Sequence, residues 1–137
     1  MISNTQKHEL SAYFSGQPVD AVYLFGSQAT GKGNKLSDID VAVLFSEGLD
    51  DRQRFDLRLS MMSDVGKISH FYDNAEVVDL DNVPLALQYQ AIAPRQELFV
   101  KNRTRQVLFE ARVMSKFFDY VYFIKTNTSV GLAAIIR

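Results

Sequence analysis

The sequence has no cysteine, no tryptophan and only three prolines among its 137 residues. Without cysteine, the chain cannot form disulfides, thiolate zinc sites or iron–sulfur clusters, and it has no thiol nucleophile. It also lacks a run of about 18 consecutive apolar residues, the length that a membrane-spanning helix requires, and its start does not resemble an export signal. We therefore expect a cytoplasmic protein that does not enter a membrane.

The composition that remains is that of an ordinary globular protein. Hydrophobic residues make up 47% of the chain, aromatic residues 12% and charged residues 23%, which is enough apolar material for a real core and excludes a disordered or fibrous chain. The length fits a single domain. We expect this domain to cover residues 1–124, and residues 125–137 to form a C-terminal tail that is disordered or docked on a partner.

The net charge of −1 hides an uneven distribution of charge along the chain. Residues 1–94 contain 7 Lys and Arg against 13 Asp and Glu, a balance of −6, whereas residues 95–137 contain 8 against 3, a balance of +5. The basic part is either a solvated helix face or a surface for a polyanion or an acidic protein. We expect a protein to be its main partner, and direct binding of nucleic acid stays open as an alternative.

Hydrophobic periodicity and turn residues predict alternating helices and strands. Apolar stripes at helical spacing predict helices at 4–15, 50–65, 84–92 and 102–124. Dense apolar and β-branched runs predict strands at 19–25, 39–45, 75–80 and 97–100. Gly66 is expected to end the second helix, and the polar residues 126–129 are expected to break the last one. This order of elements indicates the α/β (α+β) class.

The segment most informative about function is Asp38-Ile39-Asp40, at the start of the second predicted strand. Side chains alternate along a strand, so Asp38 and Asp40 point the same way, about 7 Å apart. Two such carboxylates repel each other unless a cation lies between them. Mg²⁺ suits this position because it prefers oxygen ligands and is often held by one or two carboxylates together with substrate phosphates.

A glycine-rich loop lies upstream of these aspartates. Gly26 and Ser27 follow the first predicted strand, and ten residues separate Ser27 from Asp38. Glycine lets backbone N–H groups approach phosphate oxygens closely, and the Ser27 hydroxyl can add a hydrogen bond. The loop also spells the first seven positions of a P-loop, but Gly33 stands where that motif needs serine or threonine. The residues therefore favour a metal–nucleotide site that is not a P-loop.

A third carboxylate is expected where two metal ions assist the transfer of a phosphoryl group. The third predicted strand offers Asp79 and Asp81, which share one face by the two-residue repeat, so spacing alone cannot choose between them. We favour Asp79 because it lies within an apolar run, where a charge without a partner is costly. Asp81 is the better candidate for capping the helix that follows.

These motifs resemble those of a known superfamily. The segments Leu24-Phe25-Gly26-Ser27 and Asp38-Ile39-Asp40-Val41, ten residues apart, are similar to the signature of the polymerase-β-like nucleotidyltransferases. The resemblance extends to Val78-Asp79-Leu80, to the small size, and to the helix from Arg103 to Tyr120 with its Phe109-Glu110 pair. In these respects the chain looks like the minimal nucleotidyltransferase (MNT) antitoxins of the MntA type, which pair with HEPN-domain toxins.

The resemblance implies a small mixed β-sheet flanked by helices, with a long C-terminal helix. It also implies that the protein binds ATP with Mg²⁺, most simply two ions, and transfers AMP to a tyrosine hydroxyl of a HEPN-domain RNase, which is thereby inactivated. Gly26 and Ser27 would hold the phosphates. Asp38, Asp40 and Asp79 would be the catalytic and metal-binding carboxylates. Two alternatives remain: an antitoxin that acts by binding alone, and a nucleotidyltransferase that modifies a small molecule or RNA.

Overall fold

The computed structural model describes residues 2–26 and 38–136, with side chains as far as residue 127. In this part of the chain, four strands form one mixed sheet in the order β3-β2-β1-β4. Strand β1 pairs antiparallel with both β2 and β4, whereas β2 and β3 are parallel. The strands are β1 (Val19–Phe25), β2 (Ile39–Phe45), β3 (Ala75–Asp79) and β4 (Gln96–Val100). The predicted mixed sheet flanked by helices is confirmed.

Local capping interactions explain where two of the helices begin. The Ser3 hydroxyl accepts a hydrogen bond from the backbone of Gln6, and the Gln6 side chain bonds back to Ser3, which forms a capping box. Asp50 and Gln53 form a second box in the same way. The helices within the described residues are α1 (Asn4–Ser15), α2 (Asp51–Ser69), α3 (Leu85–Ile92) and α4 (Arg103–Ile136).

The sheet is covered on both faces. Helices α1 and α2 pack on one face, here called the α1/α2 face, against side chains that include Ile39, Val41 and Val43. Helices α3 and α4 pack on the opposite α3/α4 face, against Ala42 and Leu44 among others. All seven residues of β1 are buried, because both of its neighbours in the sheet and both helical layers exclude water from it. Acidic residues lie on both faces of the sheet, and the sheet separates the two groups.

Helix α2 is longer than the sequence predicts. It continues past Gly66 and ends after Ser69, where His70 adopts a left-handed conformation with φ of 63°. Gly66 lets the chain that follows the helix pack closely against it, since a Cβ at this position would lie only 2.2 Å from the carbonyl oxygen of Tyr72. The prediction that Gly66 ends the helix was therefore wrong.

Helix α4 also continues where a break was predicted. It runs through residues 126–129 and ends at Ile136. The polar residues there cost little helix stability individually, and the Asn127 amide donates a hydrogen bond to the Phe123 carbonyl at 2.8 Å, one turn earlier. The separation of residues 125–137 as a tail stays a prediction. None of the helices within the described ranges combines the length and apolar character that crossing a membrane requires.

Candidate active site

Asp40 lies at the end of the sheet where β1 ends and where β2 and β3 begin. Its register partner on one side is Phe25, and on the other side it is Glu76. Neighbouring strands are about 4.8 Å apart, and register partners point to the same face. The side chains of Asp40 and Glu76 therefore lie next to each other. They point to the same face of the sheet as Ala42, which is the α3/α4 face.

The charges at this end of the sheet are close enough to perturb one another. Asp40 is half-buried, and burial is the largest cause of a raised pKa for its carboxyl group. The negative charges of Asp38 and then of Glu76 raise this pKa further. The folded protein therefore holds the Asp40 carboxylate within the repulsive field of two others, an arrangement that a cation would relieve.

Gly26 brings the backbone directly against Asp40. It follows the last residue of β1 and has a φ of 73°, which non-glycine residues rarely adopt. A Cβ at this position would lie 2.3 Å from Oδ2 of Asp40. The glycine predicted from the loop motif thus contacts one of the predicted aspartates. Ser27 lies outside the described residues, and its role stays a prediction.

Asp79 lies elsewhere in the fold. Its register partner is Val43, three residues beyond Asp40 and about 10 Å along the strand. Its side chain therefore points to the α1/α2 face. There Asp79 is 4% exposed, and its carboxylate oxygens lie 3.0 and 3.1 Å from Nη1 of Arg54. The structure does not place Asp79 with Asp38 and Asp40, contrary to the grouping that the resemblance implies.

The other surroundings of Asp79 show a role in holding the fold together. It accepts hydrogen bonds from the Asp81 backbone at 3.2 Å and from the Asn82 amide at 2.8 Å. Asp81 in turn lies 3.3 Å from Arg54 and 3.1 Å from Arg105. These two arginines belong to α2 and α4, so both candidate aspartates connect helices to the end of β3.

Sequence reasoning missed Glu76. It is the second residue of β3, as Asp40 is the second residue of β2, and its flanking residues Ala75 and Val77 are apolar. Its side chain is 49% exposed at the outer edge of the sheet, with Oε1 3.9 Å from Nη2 of Arg58. An acidic residue between apolar residues was a signal in the sequence, but the register that places it beside Asp40 was not.

The donor atoms at this end of the sheet fit a hard cation such as Mg²⁺. Asp40 and Glu76 present carboxylate oxygens on one face, and Asp38 adds a third carboxylate nearby. Among the described residues, however, no group of three or more His, Cys, Asp or Glu side chains is arranged so that it could hold a metal ion. Mg²⁺ commonly completes its coordination with water and substrate phosphates. The site thus fits a metal that arrives with a nucleotide.

Several solved structures have this fold. A crystal structure of a toxin–antitoxin with AMP-PNP matches with a TM-score of 0.66 and 22% identity, over 95% of this chain and 99% of the other. A tri-AMPylated Shewanella oneidensis HEPN toxin in complex with an MNT antitoxin matches with a TM-score of 0.62 and 19% identity, over 93% and 97% of the two chains. At these identities the similarity establishes the fold.

The sequence comparisons establish the family. Protein adenylyltransferase MntA of Shewanella oneidensis is 28% identical over 96 residues, which are 70% of this chain and 64% of that protein. The match therefore spans slightly less than two thirds of the relative. The family described as "Polymerase beta, Nucleotidyltransferase" matches residues 8–104, well over half of the chain. The resemblance stated from the motifs is confirmed, and the chain belongs to the polymerase beta nucleotidyltransferase family.

Proposed function

We propose that this protein is a Mg²⁺-dependent protein adenylyltransferase that acts as an antitoxin. It transfers AMP from ATP to a tyrosine hydroxyl of a HEPN-domain RNase toxin, and the modified toxin is inactive. The adjacent carboxylates of Asp40 and Glu76, with Gly26 against Asp40, are the observation that carries the proposal. The similarity to a named protein adenylyltransferase and to a complex with an AMPylated toxin supports it. The cytoplasm, where ATP is abundant, is the proposed location.

In the proposed reaction, the acceptor oxygen forms a bond to the α phosphorus of ATP while the bond to pyrophosphate breaks. Gly26 and Ser27 hold the phosphates through backbone N–H groups and a hydroxyl. Asp38, Asp40 and Glu76 hold Mg²⁺, so Glu76 takes the place that the resemblance implies for Asp79. The ions supply positive charge to the phosphates when bound. The exposed Glu76 carboxylate accepts the proton of the attacking hydroxyl.

Intact-mass spectrometry tests the proposed function. The purified HEPN-domain protein from the same host is incubated with this chain, ATP and Mg²⁺, and we expect its mass to increase by whole AMP units. The control reaction contains α,β-methylene-ATP, from which AMP cannot be transferred. An unchanged toxin mass in a stable, inactive complex would contradict the proposal and support neutralisation by binding alone.

Gly26→Ala is expected to abolish AMP transfer. The new methyl group must displace the Asp40 carboxylate, and the left-handed backbone adds a cost of about 1–2 kcal/mol. The matched control is Gly48→Ala, where φ is 95° but a Cβ would meet no atom within 4 Å. Thermal unfolding should show a similar loss of stability for both variants, whereas only Gly26→Ala should be inactive. Equal activity of the two would show that the close approach of Gly26 to Asp40 is unimportant.

A further inference from the structure

The apolar stripe of α4 continues beyond the part of the helix that packs on the sheet. Phe109 and Val113 are 3% and 1% exposed and lie in the core of the α3/α4 face. The next residues at intervals of three or four positions are Phe117, which is half-buried, and Val121 and Ile124, which are 41% and 44% exposed. Residues three and four positions apart lie on one side of a helix. The side of α4 that packs on the sheet is thus uncovered after about residue 117.

This uncovered part of α4 extends past the end of the sheet that carries the carboxylates. Arg105 donates a hydrogen bond to the last carbonyl of β2 at 3.2 Å, and five residues later along the helix Glu110 accepts one from the Tyr23 hydroxyl. Helix α4 therefore runs toward the end of β1. From Glu110 to Val121 the helix rises about 16 Å, whereas only about 10 Å of strand separate Tyr23 from Gly26.

We propose that Val121 and Ile124, together with Tyr120, form the docking surface for the acceptor protein; this inference rests on the proposed function. The surface continues the sheet-facing side of α4 past the end of the sheet at which Asp40 and Glu76 lie. An acceptor seated there has one surface against the helix and its hydroxyl group at the carboxylates. AMP transfer requires this arrangement, because the acceptor must be held while it reacts.

The charge of α4 specifies the chemistry of the acceptor surface. Within the basic region, Arg95, Arg103 and Arg105 pair with acidic residues of this chain. Arg112 and Lys116 are exposed on the turns that precede the docking surface. The matching surface on the acceptor is therefore apolar at its centre and acidic at its rim.

A second copy of this chain is the less favourable occupant. In a two-fold symmetric dimer, α4 would pair with the same helix of the other copy. Where the two helices run parallel, this pairing brings Arg112 and Lys116 close to identical positive charges, which is destabilising. The acceptor protein is therefore the occupant that the charges favour.

Aspartate substitutions on two sides of α4 test this proposal. Val121→Asp and Ile124→Asp place a charge on the docking surface, whereas Tyr122→Asp changes a residue of 73% exposure that faces away from Tyr120, Val121 and Ile124. With the HEPN-domain protein as the titrated acceptor, we expect its KM to rise about tenfold or more for the first two variants. For Tyr122→Asp, both KM and kcat should stay close to those of the wild type.

Two further measurements separate the possible failures. All three variants should retain the rise in melting temperature that ATP and Mg²⁺ produce in the wild type, because the exposed positions do not touch the carboxylates. Light scattering of the chain alone should show a monomer; a dimer that Val121→Asp dissociates would overturn the proposal in favour of a second copy. Equal KM values for all variants would overturn the docking surface alone, whereas an inactive wild type would overturn the proposed function.

Discussion

Asp40→Asn is expected to lower AMP transfer by about a thousandfold or more and, at the same time, to raise the melting temperature of the metal-free protein. Asparagine keeps the shape of the side chain but removes a charge that the proposed metal requires. The melting temperature rises because burial and the charges of Asp38 and Glu76 make the Asp40 carboxylate unfavourable in the folded state. The residue would thus be kept for function at the expense of stability.

The pH dependence of this stabilisation gives a second test. The pKa of Asp40 is raised above its ordinary value of 3.8, so the folded state binds the proton more tightly than the unfolded state. The penalty therefore appears as the pH rises through 3.8 and is complete above the raised pKa. Calorimetry should show that Asp40→Asn is more stable than the wild type at pH 7 and that the difference shrinks as the pH falls toward 4.

The control for this prediction is Asp56→Asn. Asp56 is exposed and lies 3.5 Å from Arg52 in a surface ion pair, which contributes little stability. This variant should keep both its activity and its melting temperature. An active Asp40→Asn variant, or one that unfolds at a lower temperature than the wild type, would contradict the assignment of Asp40.

Glu76→Gln and Asp79→Asn are expected to have opposite effects. Glu76→Gln removes a carboxylate beside Asp40 from an exposed position, so transfer should fall by about a hundredfold or more while the melting temperature stays close to that of the wild type. Asp79→Asn removes the main partner of the partly buried Arg54, which keeps Asp81, so the free energy of unfolding should fall by about 1–3 kcal/mol. The folded fraction of this variant should still transfer AMP.

Both variants are measured by denaturant unfolding and by AMP transfer at a temperature where each is folded. Adding Arg54→Met to Asp79→Asn should restore part of the lost stability, because the guanidinium group that lost its main partner is then removed. The restoration is expected to be partial, since Arg54 also contacts Asp81. A stable but inactive Asp79→Asn protein together with an active Glu76→Gln protein would reverse the assignment and support the original choice of Asp79.

Much of the fold was predictable because its signals are local. The runs Val19–Phe25 and Ile39–Phe45 are dense in apolar and β-branched residues, and the structure forms strands with these bounds. The close approach of Gly26 to Asp40 also follows from neighbouring segments, because antiparallel pairing of two consecutive strands brings the end of the first beside the start of the second. These features depend on residues that are near one another in the chain.

The break predicted within α4 was wrong because that prediction also rested on local signals alone. Polar residues at 126–129 resemble a helix break when they are considered one by one. Their individual costs are small, and the Asn127 side chain bonds within the helix instead of ending it. Local signals of this strength do not decide where a long helix stops.

The sequence by itself determined the family and the first two strands, and it predicted the pair Asp38 and Asp40, because each depends on a compact motif at short spacing. Only the tertiary structure decided which acidic residue of β3 lies beside Asp40. Val77 and Val78 are both buried, since β3 is covered on both faces, and such a strand has no polar alternation to reveal its orientation. The parallel register with β2 places Glu76 beside Asp40 and turns Asp79 toward Arg54 on the opposite face.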